Sequence, residues 1–232
     1  MAIILNGAEQ RPYLNGEVGE VWCNGIKRYP SGLYGFCFEI RVAEGAEWTF
    51  TLLNNYSGTV YWGDGTSDRY ENGNTYTVSH VYRETGNYVV SMRGTCDQVS
   101  FFQKTSLRRV LTPFLPQTHP GHAYNHDYIF TDCYNLTEIC DHLFDHWDRF
   151  IGSEQMFYNC KELTAIPPGL FDCFDDVEDP SRLVLLSWFA RCEKIASAVP
   201  EIWNRFPESL HDGCFYRCTR AANYADIPAD WK

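Results

Sequence analysis

Four cysteines, Cys133, Cys160, Cys192 and Cys218, return at intervals of 27, 32 and 26 residues, each in similar company. The clearest unit is Met156-Phe157-Tyr158-Asn159-Cys160-Lys161-Glu162-Leu163-Thr164-Ala165-Ile166-Pro167, followed by Gly169-Leu170-Phe171. One unit earlier stand Cys133-Tyr134-Asn135-Leu136-Thr137-Glu138-Ile139 and Leu143-Phe144. One unit later come Trp188-Phe189-Ala190-Arg191-Cys192-Glu193-Lys194-Ile195, Val199-Pro200 and Ile202-Trp203. Cys214-Phe215-Tyr216-Arg217-Cys218-Thr219-Arg220-Ala221 is a worn last copy ending at Ile227-Pro228, and Thr105 to Val110 is a first copy without cysteine. A recurrence of this length marks a solenoid of supersecondary units, none of which can bury its own apolar face.

Met156, Phe157 and Cys160 fall at i, i+1 and i+4, which predicts a short helix in each unit. The cysteine is a small hydrophobe at the position where one coil rests on the next. Cys133, Leu136, Cys160, Leu163, Cys192, Ile195 and Cys218 are therefore the expected stacking residues. Leu163 and Ile166 belong to a short extended segment that Pro167 stops, because proline cannot donate to a ladder. Residues Leu136 to Ile139, Leu163 to Ile166 and Ile195 to Val199 then share a face, with Glu138, Thr164 and Ala165 on it.

The F-x-x-C-x-x-L-T-x-I-P pattern resembles the BspA-type leucine-rich repeats of bacterial surface and phage structural proteins. The resemblance covers roughly residues 100 to 232. It decays at the last unit, where Ala221 replaces the leucine, as suits a terminal cap.

A second motif lies upstream. Tyr61-Trp62-Gly63-Asp64-Gly65-Thr66 is answered by His80-Val81-Tyr82 and by Thr85-Gly86-Asn87-Tyr88-Val89-Val90. Asp-Gly supplies the positive φ of a tight turn, which Gly65 is expected to adopt, and the aromatic residues supply half-buried pleated faces. Trp62, Gly63, Asp64, Gly65, His80, Tyr82, Gly86 and Tyr88 together resemble the PKD (polycystic kidney disease) domain, an immunoglobulin-like β-sandwich. That resemblance implies a binding or spacer module and a histidine that packs and hydrogen-bonds beside the turn. Gly45 marks a turn before Trp48 to Leu53, read as the first full sandwich strand.

The first forty residues carry Asn6-Gly7, Asn15-Gly16 and Asn24-Gly25 between short apolar runs, a spacing that predicts hairpins. Val21 to Lys27 looks like the strand-turn-strand openings of phage tail and virion proteins, with extra strands on the sandwich as the plainer alternative. Trp22 and Tyr29, near these turns, are candidate attachment residues.

A formal charge of -11 argues against a nucleic-acid partner. No apolar run reaches the roughly 20 residues of a membrane span, and no signal peptide or anchor is read at Met1 to Gly7. The ten cysteines contain no C-x-x-C. They are read as reduced and buried, with disulfides or a metal as the alternatives. His119, His122, His126 and Asp127, and separately His142 and His146 at i, i+4, could bind a transition metal. The plainer reading is a polar loop and a solvated helix face. Asp64 and Asp68 read as turn chemistry before calcium, and Asp172, Asp175, Asp176, Glu178 and Asp179 as a solvated acidic loop. No nucleophile-base motif or phosphate loop occurs.

The expected fold is β-rich with α/β repeats, in three parts. Residues 1–36 form an attachment segment, 37–97 a PKD-like immunoglobulin-like sandwich, and 98–232 the leucine-rich solenoid. The expected function is non-enzymatic, without catalytic residues, cofactor or metal. It is that of a bacteriophage virion component on the tail or capsid surface, made in the bacterial cytoplasm. Its expected partners are other virion proteins, as multiple copies in a symmetric assembly, and a host surface protein or glycan, with no nucleic acid and no membrane insertion. A bacterial cell-surface adhesin and an accessory module of a carbohydrate-active enzyme are the alternatives.

Overall fold

The computed structural model describes residues 35–117, 126–147, 152–175 and 177–232, with backbone alone for residues 54–55 and 72–76 and for four short strands nearer the N-terminus. Those four are β1 (Ile3–Leu5), β2 (Ala8–Gln10), β3 (Val21–Cys23) and β4 (Ile26–Arg28). They pair in sequence order as an antiparallel meander, with Trp22 opposite Glu9 and Lys27. The three Asn-Gly pairs and Tyr29 lie outside the described residues.

A second antiparallel sheet contains β5 (Phe36–Val42), β6 (Glu47–Tyr61), β7 (Ser67–Val81), β8 (Gly86–Thr95), β9 (Gln98–Ser100) and β10 (Leu107–Val110). The long β6–β7 hairpin shifts register between Leu53 and Gly58. Before that irregularity β6 pairs with β9 through Thr51 to Leu53, and after it with β8 through Ser57 to Tyr61. The kink lets one hairpin serve two layers. β5 is bonded to β8 and not to β6, yet the Phe38 ring meets Phe50 edge-on at 5.7 Å. Apolar faces thus oppose each other across a buried centre, an arrangement consistent with a β-sandwich.

β5 was not among the strands expected from sequence. Phe36-Cys37-Phe38-Glu39-Ile40-Arg41-Val42 is buried at all but Glu39 and Arg41. Its near-continuous apolar start obscures the period of two.

Downstream of β10 there is little regular structure. The only helices among the described residues are one α-turn at Ile202–Arg205 and three 3₁₀ turns. The chain instead advances by paired turns. Tyr128 and Asp132, Gln155 and Asn159, Ser187 and Arg191, and Gly213 and Arg217 all have φ between 52° and 65°. Two left-handed residues four apart cannot sit in a right-handed helix. The helix expected over Met156, Phe157 and Cys160 is therefore replaced by two reversals, and the one expected over His142 and His146 is broken at His142, φ 54°.

These turns stack. Phe101, Phe130, Phe157, Phe189 and Phe215 each donate a backbone N–H to the turn that follows, at 2.8–2.9 Å. Their rings lie nearly parallel: Phe101–Phe130 at 5.5 Å and 3°, Phe130–Phe157 at 5.1 Å and 4°, Phe157–Phe189 at 5.1 Å and 10°, Phe189–Phe215 at 6.0 Å and 9°. Trp231 closes the column 6.3 Å beyond Phe215. Leu136, Leu163 and Ile195 are fully buried beside it, and Ala221 is 6% exposed.

The column joins the sheet without a break. Arg41 donates its backbone N–H to Ser106, and Leu111 donates to Cys37. β10 pairs antiparallel with β5 on one side, while Arg109 forms a parallel bridge to Glu138 on the other.

Candidate functional site

The turn after β6 gathers all eight residues of the upstream motif. Asp64 Oδ1 accepts from the Thr66 amide at 3.0 Å and from its hydroxyl at 2.6 Å, while Oδ2 meets His80 Nε2 at 2.7 Å. The Trp62 indole N–H donates to Asp68 Oδ2 at 2.7 Å, and the Tyr82 hydroxyl donates to the Trp62 carbonyl at 2.9 Å. Tyr82 packs on Tyr88 at 4.2 Å, and the Tyr88 hydroxyl donates to the Glu84 carbonyl at 2.9 Å, closing the loop that ends at Gly86. Gly63 and Gly65 adopt φ 83° and 91°. Burial pushes the Asp64 carboxyl up, but the bonds from Thr66 and His80 outweigh it and hold the group below its usual value. Both carboxylates are thereby engaged with the chain itself, and the geometry makes this cluster a clamp on the hairpin.

The cysteines perform a task that their spacing did not disclose. Cys133 Sγ donates to the Phe101 carbonyl at 3.1 Å, Cys160 to Phe130 at 3.2 Å, Cys192 to Phe157 at 3.1 Å, and Cys218 to Phe189 at 3.0 Å. Each thiol thus adds a second, weak donor to a carbonyl one coil back that already accepts a backbone N–H, from Lys104, Cys133, Cys160 and Cys192 in turn. Alanine would fit the space and lose only this added bond, whereas cysteine is small, apolar and a weak donor together. Burial pushes the Cys133 and Cys218 thiols up to about 12 and those of Cys160 and Cys192 well above their ordinary value. Nine cysteines are free among the described residues, and eight of these are buried.

The histidines of the downstream loop divide. His119 and His122 lie outside the described residues. His126 is buried, stacked on Trp147 at 4.2 Å and 22°, and burial pulls its imidazole down to about 4. His142 lies 3.4 Å from Asp145 and 3.8 Å from Asp141 on the surface. No group of three or more His, Cys, Asp or Glu is placed to hold a metal ion among the described residues. In the acidic loop, Arg205 reaches Asp175 at 2.5 Å and Asp172 at 3.2 Å, and Asp179 caps the Ser181 turn. Asp176 lies outside the described residues.

One triad-like set was invisible in sequence. Ser209 Oγ lies 3.3 Å from His211 Nδ1, and His211 Nε2 lies 3.1 Å from Asp230 Oδ2. Ser209 is buried, and its hydroxyl donates to the Phe206 carbonyl at 2.8 Å, so its proton is directed away from the imidazole. His211 also stacks on Trp231 at 4.0 Å and 8°, which makes the set a clasp on the last coil.

Of the expected solenoid face, Thr164 and Ala165 are exposed, and Glu138 stands 3.9 Å from the Arg109 guanidinium. Of the candidate attachment residues, Trp22 lies in β3 and Tyr29 outside the described residues. Among the described residues no helix is long and apolar enough to cross a membrane.

Comparison with known proteins gives no family model, no curated protein and no solved structure that matches this chain.

Proposed function

We propose that this chain is a non-enzymatic structural or adhesion protein of a bacteriophage virion, set on the tail or capsid surface. In this reading residues 37–97 form a PKD-like sandwich and residues 98–232 a BspA-type leucine-rich solenoid. Residues 1–36, with Trp22 and Tyr29, attach the protein to other virion proteins in a symmetric assembly, and the repeats project toward a host protein or glycan. The repeated thiol-to-carbonyl bond at Cys133, Cys160, Cys192 and Cys218 carries the reading. It needs reduced sulfur in four successive coils, which fits assembly in a reducing bacterial cytoplasm. The same use of side chains extends to His80, Asp64 and Ser209, each bound to the fold that displays it.

Deleting residues 1–34, which stops short of the buried Phe36 of β5, tests the attachment half of this proposal. The truncated chain is expected to fold, with its near-ultraviolet spectrum retained, and to be absent from purified particles. Recovery of the truncated chain on particles at the level of the intact one overturns it. Thiol titration in denaturant without reductant, expected to count close to the ten cysteines of the sequence, tests the compartment. A count of two or fewer overturns it.

A further inference from the structure

The residue after each stacked phenylalanine forms a second column: Phe102, Thr131, Tyr158, Ala190 and Tyr216. Large and small side chains alternate down it. Thr131 and Ala190 are 5% and 1% exposed, whereas Phe102 and Tyr216 remain 44% and 49% exposed, with Tyr158 between. Neighbouring rungs are joined by backbone bonds from Gln103 to Thr131, Asp132 to Tyr158, Asn159 to Ala190 and Arg191 to Tyr216, at 2.7–2.9 Å. Strands bonded this way lie about 4.8 Å apart, so an aromatic side chain recurs roughly every 10 Å over a track of about 20 Å.

Polar groups stand between the aromatic residues. Asp132 accepts from Asn159 Nδ2 at 2.7 Å, giving a paired carboxylate and amide. The Arg191 guanidinium stands 5.8 Å over the Tyr158 ring, and the Lys161 ammonium 5.2 Å over Tyr134. At the C-terminal end Glu193, Lys194, Arg217, Thr219 and Arg220 line an open hollow of about 460 Å³. Lys161, Arg191, Lys194, Arg217 and Arg220 outnumber Asp132, Glu162 and Glu193 here, although the whole chain carries -11. Arg217 pairs with Glu193 and Lys194 with Glu162, while exposed Arg220 forms no ion pair among the described residues.

We propose that this column is a binding track for an extended acidic polysaccharide, whose sugar faces lie on Phe102, Tyr158 and Tyr216 and whose carboxylates meet Arg191, Arg217 and Arg220. The C–H face of a pyranose is weakly positive and flat, and suits the negative face of an aromatic ring. A two-fold β-linked chain presents the same ring face at every second sugar, an advance close to that of two rungs. The half-buried Asp132 carboxylate, held by the buried Asn159 amide, offers an acceptor to a neighbouring hydroxyl, and guanidinium is the natural partner of a carboxylate. The inference deepens the proposed outward-facing role of the repeats and rests on it. Binding is measured on the purified chain, so its failure leaves attachment through residues 1–36 standing.

Calorimetric titration of the intact chain with a β-linked mannuronate hexamer, and with the cellulose hexamer as its neutral counterpart, tests the track. The acidic hexamer is expected to bind more tightly, with affinity that falls as salt rises. Tyr158→Ala and Tyr216→Ala each weaken it on the order of tenfold, the effect of truncating an aromatic anchor. The double change of Arg217 and Arg220 to Gln brings the acidic hexamer down to the neutral one. If Tyr158→Ala disturbs folding, Tyr216→Ala on the exposed last rung decides. No binding of the acidic hexamer, affinity unchanged by Tyr216→Ala, or tighter binding of single-stranded DNA each overturns the proposal.

Discussion

The Phe50 ring lies parallel to that of Phe101, 5.5 Å away and 11° from coplanar orientation. Phe50 belongs to the sheet and Phe101 to the first coil, so one column of aromatic rings runs from the sheet through Phe130, Phe157, Phe189 and Phe215 to Trp231. Phe157 sits midway. Truncating a fully buried phenylalanine removes transfer energy and leaves a cavity. Phe157→Ala is expected to cost about 3–5 kcal/mol, read as a drop in the urea midpoint at constant m. A loss below about 1 kcal/mol would mean the neighbouring coils collapse freely onto the gap.

The two turn glycines differ in their surroundings. A Cβ on Gly65 would meet nothing within 4 Å, whereas one on Gly63 would lie 2.6 Å from the Val89 carbonyl oxygen. Gly65→Ala therefore carries only the left-handed backbone strain, about 1–2 kcal/mol. Gly63→Ala adds a clash with a backbone that cannot yield, and its loss should exceed that of Gly65→Ala. Thermal unfolding of the two variants side by side ranks them, and the reverse order contradicts the geometry.

The lowered Asp64 carboxyl gives the β6–β7 hairpin an acid limit. A folded-state value below the unfolded one means stability that is present above about pH 4 and lost as pH falls through the folded value. Asp64→Asn should flatten that limb of the urea midpoint against pH. An unchanged limb would assign it to other carboxylates.

His126 acts in a different window. Its imidazole titrates near 4 in the folded chain and near 6.5 when unfolded. The unfolded state therefore takes up the proton first, and stability falls between those values as pH drops, by up to about 3 kcal/mol, then levels off. His126→Phe keeps a ring against Trp147 and should remove this slope. A slope that survives the substitution belongs to another group.

The parts of the fold legible in sequence are those where one residue type has one use. Asp64 and Gly65 declare a turn, and the aromatic-cysteine spacing declares a repeated unit. The path of each coil was not legible. Its left-handed positions are held by Tyr128, Gln155, Arg191 and Arg217 as well as by Asn159, and most of these residues ordinarily avoid that conformation. Stacking between coils holds them there, and a single unit carries no trace of it. The aromatic track was hidden for a related reason. Phe102, Tyr158 and Tyr216 are separated by whole coils, and only the hydrogen bonds between rungs bring them into line. His126 resembled its polar neighbours in the chain, although Trp147, twenty-one residues on, shields it.

β10 has a mechanical consequence. Its backbone is bonded to β5 on one edge, and Val110 N–H and Arg108 C=O are bonded to the Glu138 and Thr137 backbone on the other, with the Arg109 guanidinium 2.5 Å from Glu39. A pull on the last coil cannot swing the coils about a linker, because no linker intervenes. Tension arriving along the stack meets this strand from the side and is passed to the sheet through several bonds sheared together. A chain anchored at one end and gripped at the other would behave as a stiff strut, transmitting displacement to its base.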